Sequence, residues 1–242
     1  MTRIRCQTVW FSDVEAVLFD KDGTLEDSQD SLRELAQKRA RLIDAQVPGI
    51  GEPLLMAFGV ENNALDPTGL MAVGSRFENE IAAAAYIAET GRSWFEAKAI
   101  ARSAFAQAQH LSQPAPLFAG SLVVLQQLHR AGLKLGILSA DSTAGVQAFI
   151  DRHQLSSYLE LAVGVEPLTK PDPALFIQAC TTLGVSPQKT LMVGDSQGDV
   201  EMAKQAGAAG AIGICWGQPQ VPHLRAADVT VASLDEIQVF PT

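Results

Sequence analysis

Short aliphatic runs stopped by Gly, Asp or Ser recur along the chain, and no other feature restricts its fold as strongly. They are Val14–Phe19, Leu133–Leu138, Leu161–Val165, Leu191–Val193, Ala211–Cys215 and Asp228–Val231. Runs this short and apolar suit strands covered on both faces, the situation inside a parallel sheet. Between the later runs lie Gly120–Arg130, Thr143–His153, Pro173–Leu183 and Gly198–Ala206, whose apolar residues recur every three or four positions. That spacing puts them on one face of a helix. Strand and helix in alternation predict an open α/β sheet.

The alternation is interrupted once, from about Glu26 to Pro116. No strand is evident there, and Ser31–Ile43, Arg76–Thr90 and Ser93–Leu111 read as helices, the second containing the run Ala82-Ala83-Ala84-Ala85. Turn residues separate them at Val47-Pro48-Gly49, Asp66-Pro67-Thr68-Gly69 and Thr90-Gly91. At 242 residues the chain exceeds a single domain of about 100–150 residues. The expected organisation is an α/β core of residues 1–25 and 113–242 with a helical insert of residues 26–112. Gln113-Pro114-Ala115-Pro116 is a stiff return linker.

Composition narrows the function. Apolar residues make up 47% and charged residues 19%, enough apolar side chain to exclude a disordered chain. The net charge of −9 argues against a surface that neutralises a nucleic-acid backbone. Cys6, Cys180 and Cys215 are scattered and form no CxxC pair, so neither a disulfide framework nor a zinc knuckle is expected. The opening Met1–Trp10 segment lacks the apolar core of a secretory signal, and no stretch nears the roughly 20 apolar residues that span a bilayer. A cytoplasmic protein without membrane partners is the expectation.

The chemistry lies at strand ends. Asp20-Lys21-Asp22-Gly23-Thr24-Leu25 follows Val17-Leu18-Phe19, which places two carboxylates at the carboxyl edge of a central strand, where open α/β sheets bind ligands. Carboxylates crowded together repel, so a cation between them or a proton on one of them is expected. Mg²⁺, a hard ion that prefers oxygen ligands, suits such a pair. The same fragment could serve only as an Asp-Gly turn. Leu191-Met192-Val193-Gly194-Asp195-Ser196-Gln197-Gly198-Asp199 repeats the theme, although Asp195 and Asp199 would also suit the start of a helix. Ser139 ends another strand, ahead of a helix whose first amides could take an anion. Lys170 stands before Pro171, whose ring, with a cis bond open to it, restricts the direction of the lysine.

Taken in order, Asp20-Lys21-Asp22-Gly23-Thr24, Ser139, Lys170-Pro171 and Gly194-Asp195-Ser196-x-x-Asp199 resemble the haloacid dehalogenase-like hydrolase superfamily, and within it the phosphoglycolate phosphatase-like branch. The resemblance runs from about Val14 to Asp235. It implies a Rossmann-like core with an inserted α-helical cap, and a Mg²⁺-dependent phosphatase acting on a small phosphorylated metabolite through an aspartyl-phosphate. By that resemblance Asp20 is the nucleophile, and Asp22 protonates the leaving oxygen and later activates water. Mg²⁺ is held by the Asp20 side chain, the Asp22 carbonyl and the Asp195 side chain. Ser139 and Lys170 bind phosphoryl oxygens, with Gly23 and Thr24 as further phosphate contacts, and Asp199 orients the metal shell or Lys170. The cap would choose the substrate, with Arg76 and the Asp66–Gly69 turn as candidates.

Two residues depart from the family pattern. Ala140 follows Ser139 where many relatives carry Asn, and Lys21 is charged where relatives often carry an apolar residue. Lys21 is expected to point away from Asp20. Retention of Asp22 favours phosphate esters over halides or phosphonates. A phosphosugar mutase keeps Asp22, but usually has a hinge histidine soon after it, and this chain has no histidine before His110. A phosphate-sensing or partner-binding module is the alternative of another class, and it would not need a proton donor beside its acceptor aspartate. His110, His129, His153 and His223 and the scattered aromatics read as surface or packing residues. Lys38, Arg39 and Arg41 read as a solvated helix face.

Overall fold

A computed structural model describes residues 2–111, 113–164, 168–218 and 221–240. The chain divides into two compact units, Met1–Asp27 with Leu117–Thr242, and Ser28–Pro116.

The first unit opens with β1 (Thr2–Cys6), β2 (Val9–Val14) and β3 (Ala16–Phe19). The second comprises α1 (Gln29–Asp44), α2 (Gly51–Phe58), β4 (Val60–Glu61), β5 (Ala64–Leu65), α3 (Leu70–Val73), α4 (Arg76–Glu89) and α5 (Trp94–His110). The first unit resumes with α6 (Ser121–Arg130), β6 (Lys134–Leu138), α7 (Thr143–Arg152), β7 (Leu161–Val163) and α8 (Pro173–Leu183). It ends with β8 (Thr190–Gly194), α9 (Gln197–Gln205), β9 (Gly210–Ile214), β10 (Val229–Val231) and β11 (Ile237–Phe240).

Six strands form one parallel sheet in the order β10-β9-β8-β3-β6-β7, the Rossmann-like α/β core that the aliphatic runs predict. Val165, at the end of one of those runs, lies outside the described residues. Alternate residues of a strand face opposite sides, and the core divides accordingly. Val17, Phe19, Leu135, Ile137, Leu191 and Val193 pack on one side with α6 and α7. Ala16, Leu18, Leu138 and Met192 pack on the other with α8 and α9.

The first aliphatic run is split. Val14 closes β2, and Glu15 turns the chain into β3 with its N–H on the Lys189 carbonyl at 2.8 Å. A second, antiparallel sheet ordered β11-β1-β2 joins the beginning and the end of this unit, and apart from Val14 no aliphatic run marks its strands. Its buried residues are single ones, Ile4, Cys6, Phe11, Val14 and Ile237, the first four set among Arg3, Arg5 and Asp13. That is the pattern of a sheet covered on one face.

In the helical unit the observed α1, α4 and α5 replace the three expected helices within two residues at each end. Ala97, Ala101, Ala104 and Ala108 are all buried on one face of α5, small enough for α4 to pack closely. Helix α2 and the β4–β5 ribbon are additions. The ribbon turns at Asn62 and Asn63, both at positive φ, a conformation Asn tolerates and tight hairpins require. Arg39 is not on a solvated face: it is 4% exposed, with its guanidinium 4.1 Å from the Phe105 ring centre. A cation loses hydration there, and the aromatic face partly replaces it. No helix among the described residues is long and apolar enough to cross a membrane.

Candidate active site

Parallel strands present all their carboxyl ends at one edge, so adjacent strands bring the residues after them together. The central strand β3 lies between β8 and β6. Asp20 follows β3, Asp195 follows β8 and Ser139 follows β6. Register agrees, since Phe19 is opposite both Val193 and Ile137. The Asp20 N–H continues the ladder by donating to the Val193 carbonyl at 2.9 Å.

One ligand oxygen each of Asp20, Asp195 and Asp199 lies within 4.8 Å of the others. Lys170 joins them, its Nζ at 2.8 Å from Asp20 Oδ1 and 2.6 Å from Asp199 Oδ1, with the side chain only 7% exposed. The peptide between Lys170 and Pro171 is cis. Asp20 Oδ1 also accepts the Lys21 N–H at 2.7 Å, so two donors on one oxygen fix this carboxylate. Asp199 serves twice. It sits at the third position of α9, where its Oδ2 accepts from the N–H and the hydroxyl of Ser196, while Ser196 Oγ accepts the Asp199 N–H. This capping box fulfils the helix-start role, and the other oxygen holds Lys170.

Two glycines make room for the cluster. A Cβ on Gly194 would lie 2.4 Å from Asp199 Cγ, and one on Gly23 would lie 2.0 Å from Asp195 Oδ2.

The charges explain the electrostatics. Burial pushes the Asp20 carboxyl up to about 7, against the pull of Lys170 and with the repulsion of Asp199. Burial, then Asp20 and Asp199, raise Asp195 well above the usual carboxylate range. Burial alone would lower Lys170, but Asp199 and Asp20 raise it. Three carboxylates share one ammonium, so the ionised cluster lacks positive charge. An all-oxygen donor set with excess negative charge fits a hard divalent cation such as Mg²⁺, and this cluster could bind one.

The remaining expected residues fall as follows. The Asp22 carboxylate is apart from the three-carboxylate group, with Oδ2 at 2.7 Å from the Lys21 ammonium. Lys21 thus turns from Asp20, as expected, but onto Asp22. The Thr24 hydroxyl is 3.4 Å from Asp195 Oδ1, and the Gly23 carbonyl accepts the Trp216 Nε1–H at 2.8 Å. Ser139 is 1% exposed, and its Oγ accepts the Asp141 N–H at 3.1 Å. Arg76 pairs with Glu80 on α4.

Trp216 and His223 are site neighbours that the sequence does not reveal. Trp216 stacks on Phe118 with ring centres 3.8 Å apart while it holds Gly23. His223 Nε2 lies 3.2 Å from the Asp195 carbonyl. Both follow β9 in loops without an aliphatic pattern, so only folding places them. His153 faces Glu26 at 3.6 Å, and His129 packs on Tyr158. The His110 side chain lies outside the described residues.

Comparison with solved structures places the chain in a known fold class, a Rossmann-like α/β core with a helical insert. A crystal structure described as a predicted phosphoglycolate phosphatase from Haemophilus somnus has a TM-score of 0.70 at 20% identity, covering 92% of this chain and 96% of that one. At that identity the likeness concerns the fold alone. The family is shown by sequence: the model of haloacid dehalogenase-like hydrolases matches residues 14–207, and the chain belongs to that family. Probable phosphatase IndB of Dickeya dadantii is 35% identical over 120 residues, 49% of this chain and about half, 52%, of that protein. A phosphoglycolate phosphatase of Chromobacterium violaceum is 28% identical over 229 residues, 93% of this chain and 95% of that protein. The family is one of hydrolases, and both of these relatives are named phosphatases.

Proposed function

We propose that the protein is a Mg²⁺-dependent phosphatase that hydrolyses a small phosphomonoester through an aspartyl-phosphate on Asp20, with the helical unit as its cap domain. The observation that supports this most is the Lys170 ammonium bridging Asp20 and Asp199 beside Asp195. It joins an oriented nucleophile, a cation for phosphoryl oxygens and an electron-rich metal cradle.

In the first step an Asp20 carboxylate oxygen attacks phosphorus, the ester P–O bond breaks, and Asp22 gives its proton to the departing oxygen. In the second, water loses a proton to Asp22 and attacks phosphorus, which frees phosphate and restores Asp20. Lys170 and the Ser139 hydroxyl bind phosphoryl oxygens as charge builds on them. The Ser139 N–H is already taken by the Val163 carbonyl at 3.0 Å, which leaves the hydroxyl for this task. Asp199 keeps Lys170 in place. Gly23 and Thr24 shape the turn under the phosphate. Mg²⁺, held by the Asp20 and Asp195 side chains and the Asp22 carbonyl with Asp199 adjacent, would offset the repulsion between nucleophile and phosphate. The three free cysteines, with Cys6 pushed up to about 12 by burial and by Glu236, suit an inert thiol set in a reducing cytoplasm.

The test is phosphate release from a panel of small phosphomonoesters with and without Mg²⁺, for wild type and Asp20→Asn. Phosphoglycolate belongs in the panel because it is the substrate in the name of the Chromobacterium relative. Metal-dependent release abolished by Asp20→Asn is expected. Equal release by both proteins would overturn the reading.

A further inference from the structure

The lysine inside the Asp20-Lys21-Asp22 motif is buried among carboxylates, and its surroundings are specific. Lys21 is 5% exposed. A lysine this buried persists only where its charge is answered. Its Nζ lies 2.7 Å from Asp22 Oδ2, 3.2 Å from Glu26 Oε2 and 3.6 Å from Asp141 Oδ2, with the Phe149 ring centre 5.8 Å away. Glu26 is itself buried, and takes Arg152 at 3.4 Å and His153 at 3.6 Å on its other oxygen. Burial lowers the readiness of Lys21 to hold its proton, and Asp22, Glu26 and Asp141 more than restore it.

The backbone closes on the same residue. The N–H groups of Leu25 and Glu26 donate to the Lys21 carbonyl at 2.9 and 3.0 Å, and the Gly23 N–H donates to the Glu26 carbonyl at 3.0 Å. Lys21 therefore holds the loop from its carbonyl, holds Asp20 through its N–H, and holds Asp22 through its ammonium. The ammonium also ties this loop to Asp141, two residues beyond Ser139.

We infer that Lys21 is a positioning residue for Asp22: its ammonium, anchored on Glu26, keeps the Asp22 carboxylate where it exchanges a proton with the leaving oxygen. The inference rests on the assignment of Asp22 as acid and base in the proposed function. An aspartate on a loop with its side chain 22% exposed would otherwise sample several rotamers, and small misplacement of a reacting group is costly. Glu26 serves as the counter-charge that lets a lysine, rather than an apolar residue, occupy this buried position.

The leaving group separates positioning from mere support of the fold. An alkyl phosphate needs a proton on its departing oxygen, whereas p-nitrophenolate departs without one. In Lys21→Met, turnover of the alkyl phosphate should fall roughly 100-fold with KM little changed, while the rapid-mixing burst of p-nitrophenol keeps its rate. Asp22→Asn provides the reference and should show the same split. Lys21→Arg keeps a cation and should recover part of the alkyl phosphate turnover. Because Lys21→Met strands Glu26, the double variant Lys21→Met/Glu26→Met is measured beside it. Replacing both partners by apolar groups should restore the melting temperature but leave the split in place.

If the double variant regains wild-type turnover of the alkyl phosphate, or if Lys21→Met slows the burst and the alkyl reaction equally, Lys21 only supports the fold. If Asp22→Asn shows no split, the role of Asp22 is wrong and the inference falls with it. A wild type inactive on both esters would instead refute the proposed function.

Discussion

The Cα of Gly23 packs so closely on Asp195 that an added Cβ would lie 2.0 Å from Oδ2, and Gly23 has φ of +71°. The two residues are far apart in sequence but meet across β3 and β8. Gly23→Ala should therefore displace the Asp195 carboxylate and abolish phosphate release, besides a backbone strain of about 1–2 kcal/mol. Gly49→Ala is the control, at φ +95° with nothing within 4 Å of its Cβ. It should lower the melting temperature similarly and leave activity intact. Comparable activity in both variants would contradict the close contact at Gly23.

Among the described residues, Lys170 is the one ammonium set among the three carboxylates. Lys170→Met should lower kcat by roughly 100–1,000-fold and destabilise the metal-free protein by about 3–5 kcal/mol, read from denaturant unfolding. Adding Asp199→Asn should recover much of the stability and none of the activity. Recovery of activity would show that Lys170 only neutralises Asp199.

The raised Asp20 carboxyl gives stability a pH dependence of known sign. Its folded value near 7 exceeds the ordinary 3.8, so below about 3.8 both folded and unfolded chains carry the proton and this contribution is complete. Between 3.8 and 7 the unfolded chain releases the proton first, and the contribution is lost as pH rises. In EDTA the melting temperature of wild type should fall relative to Asp20→Asn across that window. Asp195, shifted the same way, adds to the trend. Parallel pH curves for the two proteins would contradict the electrostatics of the cluster.

A cation that neutralises the cluster stabilises the fold that binds it. Mg²⁺ at about 100 times its dissociation constant should add about 2.7 kcal/mol, a rise of roughly 5–10 °C in melting temperature. Asp195→Asn should abolish most of the rise. An unchanged rise in that variant would place the ion elsewhere.

The sequence made the core and the candidate site legible because three of the aliphatic runs end just before the residues proposed for it. Asp20, Ser139 and Asp195 follow buried strands directly, and parallel pairing does the rest. The antiparallel sheet was hidden because β1 pairs with β11 from the far end of the chain, and single apolar residues among arginines carry little signal. Trp216 reaches the Gly23 carbonyl, and His223 the Asp195 carbonyl, through loops, contacts that no local pattern encodes. Lys21 was recognisable as unusual but not as paired, because its partners Asp22, Glu26 and Asp141 converge only when the motif loop closes on itself.

Direct detection of a phosphoryl group on Asp20 is the decisive measurement. Rapid mixing with a hydrolysed phosphomonoester and Mg²⁺, acid quench and peptide mapping by mass spectrometry should place one phosphoryl group on the peptide carrying Asp20, and none in Asp20→Asn. Phosphate release by wild type with that peptide unmodified at every quench time, together with an active Asp20→Asn, would contradict covalent catalysis at this residue.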